Sequence, residues 1–352
     1  MTTKNTTLTT VNYETAKACI KEAFRAQSVP YLQGSPGIGK SMIYAELAET
    51  YHLELIDLRL GQMEPTDLMG FPMIQPDNQK AGYAPMNIFP LENDPIPDGK
   101  KGFLLLLDEI NAAERATIKA AYKLVLDRMV GPHRLHPKCF IAMAGNLDTD
   151  GALTEEMGTA MQSRIAPHMQ LEVSVKHWLE WAHNQNIDYR VCAFIEFRPD
   201  LLHSFKADHV DNTYPCPRTW EKVHKFINKR DLHKDLPHIY MPLIAGSVGS
   251  GAAIEFVAFT DLYGELPSIN DILSNPESVD FSNKGDVQYA LTGLLAEFAL
   301  PTNIEKILIF VKRLNADFQA LTIRAIRQRK NSLRHHQAVT DWIEENASLL
   351  ID

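Results

Sequence analysis

The stretch Gly34-Ser35-Pro36-Gly37-Ile38-Gly39-Lys40-Ser41, followed by Met42, decides how this chain is read. It satisfies the spacing G-x-x-x-x-G-K-[ST], and it stands between a short apolar run at residues 29–32 and a segment with Ile43 and Leu47 one helical turn apart. Strand, glycine turn and helix start, in that order, are what the pattern needs. Glycines let backbone N–H groups close around phosphate oxygens, and the helix N-terminus adds a favourable dipole. Residues 34–42 are therefore the candidate phosphate cradle, with Lys40 placed for the β- and γ-phosphates and Ser41 for Mg2+. An ordinary glycine turn with a chance lysine is the plain alternative; the strand–turn–helix setting argues against it.

The next informative stretch is the apolar run 103–107, which reads as a strand buried on both faces of a parallel sheet. It ends in Asp108-Glu109, two carboxylates at the carboxyl end of a buried strand, where ligands of open α/β sheets bind. Asp108 is the candidate second Mg2+ ligand, and Glu109 the group that orients and polarises an attacking water. A solvated turn is the competing reading of such an acidic pair.

Around these motifs helical and strand-like segments alternate. Residues 13–27 place Ala16, Cys19, Ile20 and Phe24 at helical spacing, residues 53–60 alternate as a strand, Ile118, Ala121, Tyr122 and Val125 share a helical face, and 139–144 reads as another buried strand. Seven prolines between positions 65 and 97 keep regular structure there short. After about residue 172 helical signals dominate, with Trp178, Leu179 and Ala182, then Trp220, Val223, Phe226 and Ile227, then Ile307, Phe310 and Val311. The expectation is an α/β nucleotide-binding core over 1–171 and a helical region over 172–352.

Composition bounds the partners. The 352 residues carry 35 Lys+Arg against 44 Asp+Glu, a net charge of -9, with 45% hydrophobic residues. Such a chain buries real cores, and it does not present a general basic surface to nucleic acid or anionic membrane. Four cysteines, Cys19, Cys139, Cys192 and Cys216, form no C-x-x-C or zinc-type spacing, which fits a reducing compartment. The Thr-rich start lacks the apolar core of a secretory signal, and the longest uncharged stretch, 239–254, falls short of the ~20 apolar residues that span a bilayer. A soluble, cytoplasmic protein without membrane contact is expected.

Residues 34–41, Asp108-Glu109-Ile110-Asn111 and the segment 57–72 together resemble the MoxR-like, dynein-related branch of the AAA+ ATPases, and the likeness continues through 124–128, 144–146, 161–164 and 215–221. The helical remainder, with 256–267 and 313–318, is similar to the tail of bacterial and phage members. The resemblance implies an AAA+ P-loop parallel-sheet core followed by an all-helical lid and helical C-terminal tail. It also implies ATP and Mg2+ as cofactors, and hydrolysis at the interfaces of a homo-oligomeric ring, a hexamer. By the same likeness Asn146 matches the sensor 1 position, Arg164 the arginine finger given to a neighbouring subunit, and Arg218 the sensor 2 of the lid. Plain alternatives stand beside each: Asn146 in a Gly-Asn turn, Arg164 facing solvent with Arg128 and Arg134 as rival fingers, and Arg218 paired with Glu221 or Asp211. The sequence departs from the family where Asn146 is followed by Leu147 rather than proline and Arg164 by Ile165 rather than phenylalanine.

The resemblance implies a protein client, in this family often a separate chain with a von Willebrand factor type A domain; its D-x-S-x-S metal motif does not occur here. Two rival classes are a motor acting on nucleic acid and a nucleotide-gated scaffold with little turnover. The segment 65–97 occupies the place of the family's helix-2 insertion, with Met69-Gly70-Phe71 either in a central channel or on a rigid surface loop. Arg324, Arg327, Arg329, Lys330 and Arg334 read as a solvated helix face, or as a contact for phosphate or an acidic partner. Gly246, Gly249 and Gly251, with no lysine following, read as helix packing or a turn.

Overall fold

In the computed structural model of the chain, which describes residues 9–74, 80–147, 157–205, 211–230, 239–264 and 266–349, the run that ends in Asp108 lies within the sheet. Every residue of β6 (Gly102–Asp108) is buried. It pairs in parallel with β3 (Leu53–Arg59) on one side and with β9 (Cys139–Gly145) on the other. With β1 (Thr9–Val11), β2 (Tyr31–Gln33) and β10 (His168–Leu171) these make a six-stranded sheet in the order β1-β10-β2-β9-β6-β3. All five pairings are parallel.

The side-chain period of two sorts the apolar run between two cores. Leu105 and Leu107 join Ile141 and Met143 in a core with Ile118, Ala121, Leu124 and Val125 of α4 (Arg115–Asp127). Leu104 and Leu106 join Ala142 and Ala144 on the other face, against α1 (Tyr13–Arg25) and α2 (Lys40–Thr50). Helices therefore cover both faces, and an uninterrupted leucine run is what that burial requires. Each such leucine contributes about 1.5–3 kcal/mol by leaving water.

The proline-rich segment forms short pieces, as its composition predicts. Helix α3 (Pro65–Met69) leads through Gly70, at φ 90°, into an antiparallel hairpin of β4 (Phe71–Ile74) and β5 (Ala81–Ala84). A second small hairpin, β7 (Met129–Val130) with β8 (His133–Arg134), follows α4. The short strands β1 and β10 carry too few residues to show a periodicity and escape sequence reading, as does the short helix α5 (Thr159–Gln162).

One compact unit runs to Val173 and a second begins at Ser174. The described residues of the second unit are helical and connecting segments. Trp220 is its anchor: fully buried, it packs on Phe194 and Phe256 at centroid distances of 5.4 and 5.5 Å, and its indole N–H donates to the Leu201 carbonyl at 2.7 Å. Trp178, Val223 and Ile227 are buried as their spacing predicts, whereas Phe226 is 37% exposed and does not belong to that face. Gly249, at φ 86°, is the turn between the helices Tyr240–Val248 and Ser250–Asp261. No described helix is long and apolar enough to cross a membrane.

Candidate active site

The parallel register brings the two motifs together. Gln33, at the carboxyl end of β2, pairs with Gly145, at the carboxyl end of β9, so the loop 34–41 and Asn146 leave neighbouring strands side by side. The Gly34 N–H donates to the Gly145 carbonyl at 3.2 Å. The loop then turns through Gly37 (φ 81°) and Gly39 (φ 99°), left-handed conformations that glycine adopts without strain, and Gly39 caps α2. Lys40 is thereby the first helical residue.

Lys40 is 7% exposed, and its ammonium donates to the Gly34 carbonyl at 2.6 Å, the Ser35 carbonyl at 3.0 Å and Asn146 Oδ1 at 3.1 Å. A buried ammonium is tolerated because its protons are met by oxygens. The Ser41 hydroxyl donates to Asp108 Oδ2 at 2.5 Å, while Asp108 Oδ1 accepts the backbone N–H of Glu109 at 2.8 Å. Both oxygens of the buried Asp108 carboxylate are thus engaged.

Glu109 has φ 55° and ψ 33°, a left-handed backbone at a non-glycine residue. Five other non-glycine residues of the described chain, among them Gln27 and His52, share this left-handed φ, so it marks a tight turn. Here the turn is held by the 3-10 helix that begins at Ile110 and by Asn111. The Asn111 amide donates to the Asn146 carbonyl at 2.7 Å and accepts the Asn146 N–H at 3.0 Å. The carboxyl of Glu109 lies over Gly61, whose missing Cβ would stand 3.5 Å from Oε2.

Gly145 has no room for a side chain: a Cβ there would overlap the Tyr31 hydroxyl and lie 2.7 Å from Asn111 Oδ1. Tyr44 of α2, fully buried, donates to the Met143 carbonyl at 3.0 Å, tying the phosphate-loop helix to β9. Burial, and after it the nearby charge of Asp108, raise its phenol far above the ordinary value, so it stays a neutral donor. Burial, then the charges of Asp108 and Glu109, also push the Asp57 carboxyl upward against the opposing Arg59.

This concentration of carboxylates beside a hydroxyl suits a hard divalent cation. Ser41 and Asp108 offer the two oxygen ligands that Mg2+ commonly takes from a protein, the rest coming from water and phosphate. Among the described residues no group of three or more His, Cys, Asp or Glu side chains could hold a metal by itself.

Lys40 is thus bonded to Asn146, which Asn111 holds, while Ser41 is bonded to Asp108, which accepts the Glu109 N–H; the Lys40–Ser41 peptide brings the two sets together. The sequence offers a weak signal for Asn111, an amide just past the acidic pair, and none for Tyr44. Arg164, two residues past α5, is exposed and donates to the Ala160 carbonyl at 3.1 Å. Arg128, a rival for its role, is engaged elsewhere: its guanidinium donates to the carbonyl of Cys139, the first residue of β9, at the opposite end of that strand from Asn146. Arg218 belongs to the second unit, exposed at the second position of the helix Pro217–Ile227. Its expected rival partners are otherwise bonded, Glu221 to Lys225 at 2.6 Å and Asp211 to the Ser250 N–H at 3.0 Å.

The fold is a parallel α/β sheet with a glycine-rich loop between β2 and α2. No family model matches the sequence, and no curated protein matches it. Among solved structures, a proposed ATPase from Cytophaga hutchinsonii is similar at 12% identity and a TM-score of 0.33, covering 97% of this chain and 96% of its own. NtrX from Brucella abortus, solved with ADP, is 13% identical at a TM-score of 0.37 over 96% of this chain and 68% of its own. The RuvB Holliday junction branch migration motor of Thermotoga maritima is 14% identical at a TM-score of 0.34 over 74% and 73%.

The basic cluster near the C-terminus does not form one face. Arg329 turns inward, 7% exposed, to the Ile187 carbonyl at 2.6 Å and to Glu297 at 3.5 Å, whereas Arg324 is exposed.

Proposed function

We propose that the chain is an Mg2+-dependent ATPase of the MoxR-like AAA+ type, which assembles into a homo-oligomeric ring, a hexamer, and remodels a protein partner. The observation that carries this reading is the pair of contacts Ser41 Oγ to Asp108 Oδ2 at 2.5 Å and Lys40 Nζ to Asn146 Oδ1 at 3.1 Å. They link the phosphate loop to the acidic strand end and to the polar tip of the strand between them.

Roles follow from the chemistry. Loop amides of residues 34–42 and the Lys40 ammonium would hold the phosphates, the lysine exchanging its loop carbonyls for phosphate oxygens. Ser41 and Asp108 would hold Mg2+, which when bound neutralises charge on the β- and γ-phosphates. Glu109 would orient and polarise the attacking water, and Asn146 would fix that water or touch the γ-phosphate. Arg164, exposed and bonded to the Ala160 carbonyl, is free to serve a neighbouring subunit, where a finger can be worth ~10³–10⁵ in rate. Arg218 would report the nucleotide state to the helical unit.

The β4-β5 hairpin supports a protein client. Phe71, Met73, Ile74 and Tyr83 are 50%, 55%, 75% and 48% exposed, and Met69 beside them 38%, an apolar surface of the kind that engages protein chains. The partner class would include separate chains with a von Willebrand factor type A domain. Equilibrium binding of Mg2+-ATP and phosphate release by the purified chain test the reading. Lys40→Ala should lose Mg2+-ATP binding, and Ser41→Ala should raise the Mg2+ concentration needed for turnover; Mg2+-ATP binding unchanged in Lys40→Ala would overturn it.

A further inference from the structure

The strands that carry the candidate active site at their carboxyl ends border a second cavity at their amino ends. It has a volume of about 530 Å³ and is lined in part by Leu53, which opens β3, and by Cys139, which opens β9. Among the described residues that line it, five are cationic, Lys21, Arg25, Lys101, Arg128 and Lys138, and none is acidic. In a chain whose acids outnumber its bases 44 to 35, this is a local field that overall composition does not supply.

The backbone builds the cluster. The Lys101 N–H donates to the His52 carbonyl at 2.7 Å, and the Phe103 N–H donates to the Lys138 carbonyl at 2.9 Å. Gly102 between them permits that approach, since a Cβ there would lie 2.5 Å from the Lys138 carbonyl. Arg128 is fixed more firmly. Its backbone is left-handed at φ 55°, its carbonyl accepts the Leu135 N–H at 2.9 Å, and its guanidinium donates to the Cys139 carbonyl. One arginine fork is therefore pre-positioned on the cavity wall, and a fixed guanidinium is well suited to bidentate contact with phosphate. Arg25 is partly neutralised by Glu22 at 2.6 Å, whereas Lys101 and Lys138 are exposed. The Cys139 thiol, pushed up to about 12 by burial despite the neighbouring Arg128, adds no negative charge.

The remaining wall carries aromatic rings beside the polar Gln27 and Ser28. The rings of Phe24 and Phe140 pack at a centroid distance of 5.2 Å, and both line the cavity together with Tyr51. Small-ligand sites commonly occupy ~300–1,000 Å³, with apolar walls and a few convergent polar groups.

We propose that this cavity binds a small phosphomonoester carrying a flat ring, of mononucleotide size, at the end of the sheet opposite the phosphate loop. The cations would take the phosphate and the aromatic wall the ring. The site is independent of the function proposed for Lys40 and Glu109.

The test is calorimetric titration of AMP into the 352-residue Lys40→Ala chain, in which the other phosphate lysine is gone, with adenosine and a single-stranded oligonucleotide as further probes. AMP should bind, adenosine should not, and affinity should fall as salt rises. Lys101→Glu with Lys138→Glu should weaken AMP at least tenfold while leaving the melting temperature of the same background unchanged, since both side chains are exposed. The neutral pair Lys101→Gln with Lys138→Gln should weaken it less. No AMP binding to the Lys40→Ala chain, or undiminished binding after charge reversal, would overturn the proposal. So would an oligonucleotide bound through these lysines in place of AMP, which would make the surface one for nucleic acid.

Discussion

Asn111 holds Asn146 by both ends of its side-chain amide, donating to the Asn146 carbonyl at 2.7 Å and accepting from its N–H at 3.0 Å. Because Asn111 is 3% exposed, these bonds are shielded from water. The acidic turn after β6 and the tip of β9 are therefore tied together, with Asn146 Oδ1 held against the Lys40 ammonium.

Asn111→Ala leaves the backbone N–H and carbonyl of Asn146 without these partners, at a cost of about 1–3 kcal/mol for buried unsatisfied groups. Steady-state kinetics with a thermal melt separate its effects. The account predicts that kcat falls further than nucleotide affinity, because Lys40 and the loop 34–41 remain. Unaltered kcat in a variant with the expected loss of stability would leave Asn111 a purely structural residue.

Gly145→Ala forces a methyl group against the Tyr31 hydroxyl and Asn111 Oδ1. Overpacking of this kind costs about 1–3 kcal/mol. The same substitution at Gly61 meets Glu109 Oε2 at ordinary contact distance, 3.5 Å, and should be milder. Denaturant titration of both variants checks the ranking.

Leu106→Ala opens a hole in the face packed by α1 and α2, and should destabilise the first unit by about 2–5 kcal/mol. Its effect on nucleotide affinity at a temperature where the variant stays folded should be small. Leu106 touches the site only through the strand that carries Asp108.

Burial pushes the carboxyl of Glu196, in the second unit, from its ordinary 4.5 up to about 7, partly offset by the charge of Arg329. A raised acid is neutral in the fold and ionised in the unfolded chain between those values, so its stabilising contribution is full below pH 4.5 and declines as pH rises to about 7. Glu196→Gln should therefore gain stability relative to the parent across that window, measured by urea unfolding at stepped pH. A constant difference between the two proteins would contradict the assigned titration.

Much of this was readable beforehand because burial on both faces writes itself into sequence. The run 103–107, the glycine spacing 34–41 and the segment 139–144 each carry enough residues to specify an element. What escaped was of two kinds. Strands β1 and β10 are too short to show a period, and Asn111, Tyr44 and Gly145 act through contacts between residues distant along the chain. Arg128 shows the same limit: nothing in its neighbourhood announces that its guanidinium folds back onto the start of β9. Arg329, one of five basic residues near the end, is likewise claimed by a carbonyl 142 positions away.

Mixing Arg164→Ala chains with Lys40→Ala chains tests action between subunits. Mixed rings should regain turnover at interfaces that pair an intact loop with an intact Arg164. No recovery in rings verified as mixed would remove Arg164 from that role.

The most direct measurement is the fate of ATP on Glu109→Gln. This substitution keeps the left-handed turn and the Asp108 contacts while removing the charged oxygen that polarises water. The account predicts that the purified variant binds Mg2+-ATP as tightly as the parent, holds it unhydrolysed, and shows turnover reduced by at least a hundredfold. Turnover at the parental rate would contradict the central claim that these residues form an ATP-hydrolysing site.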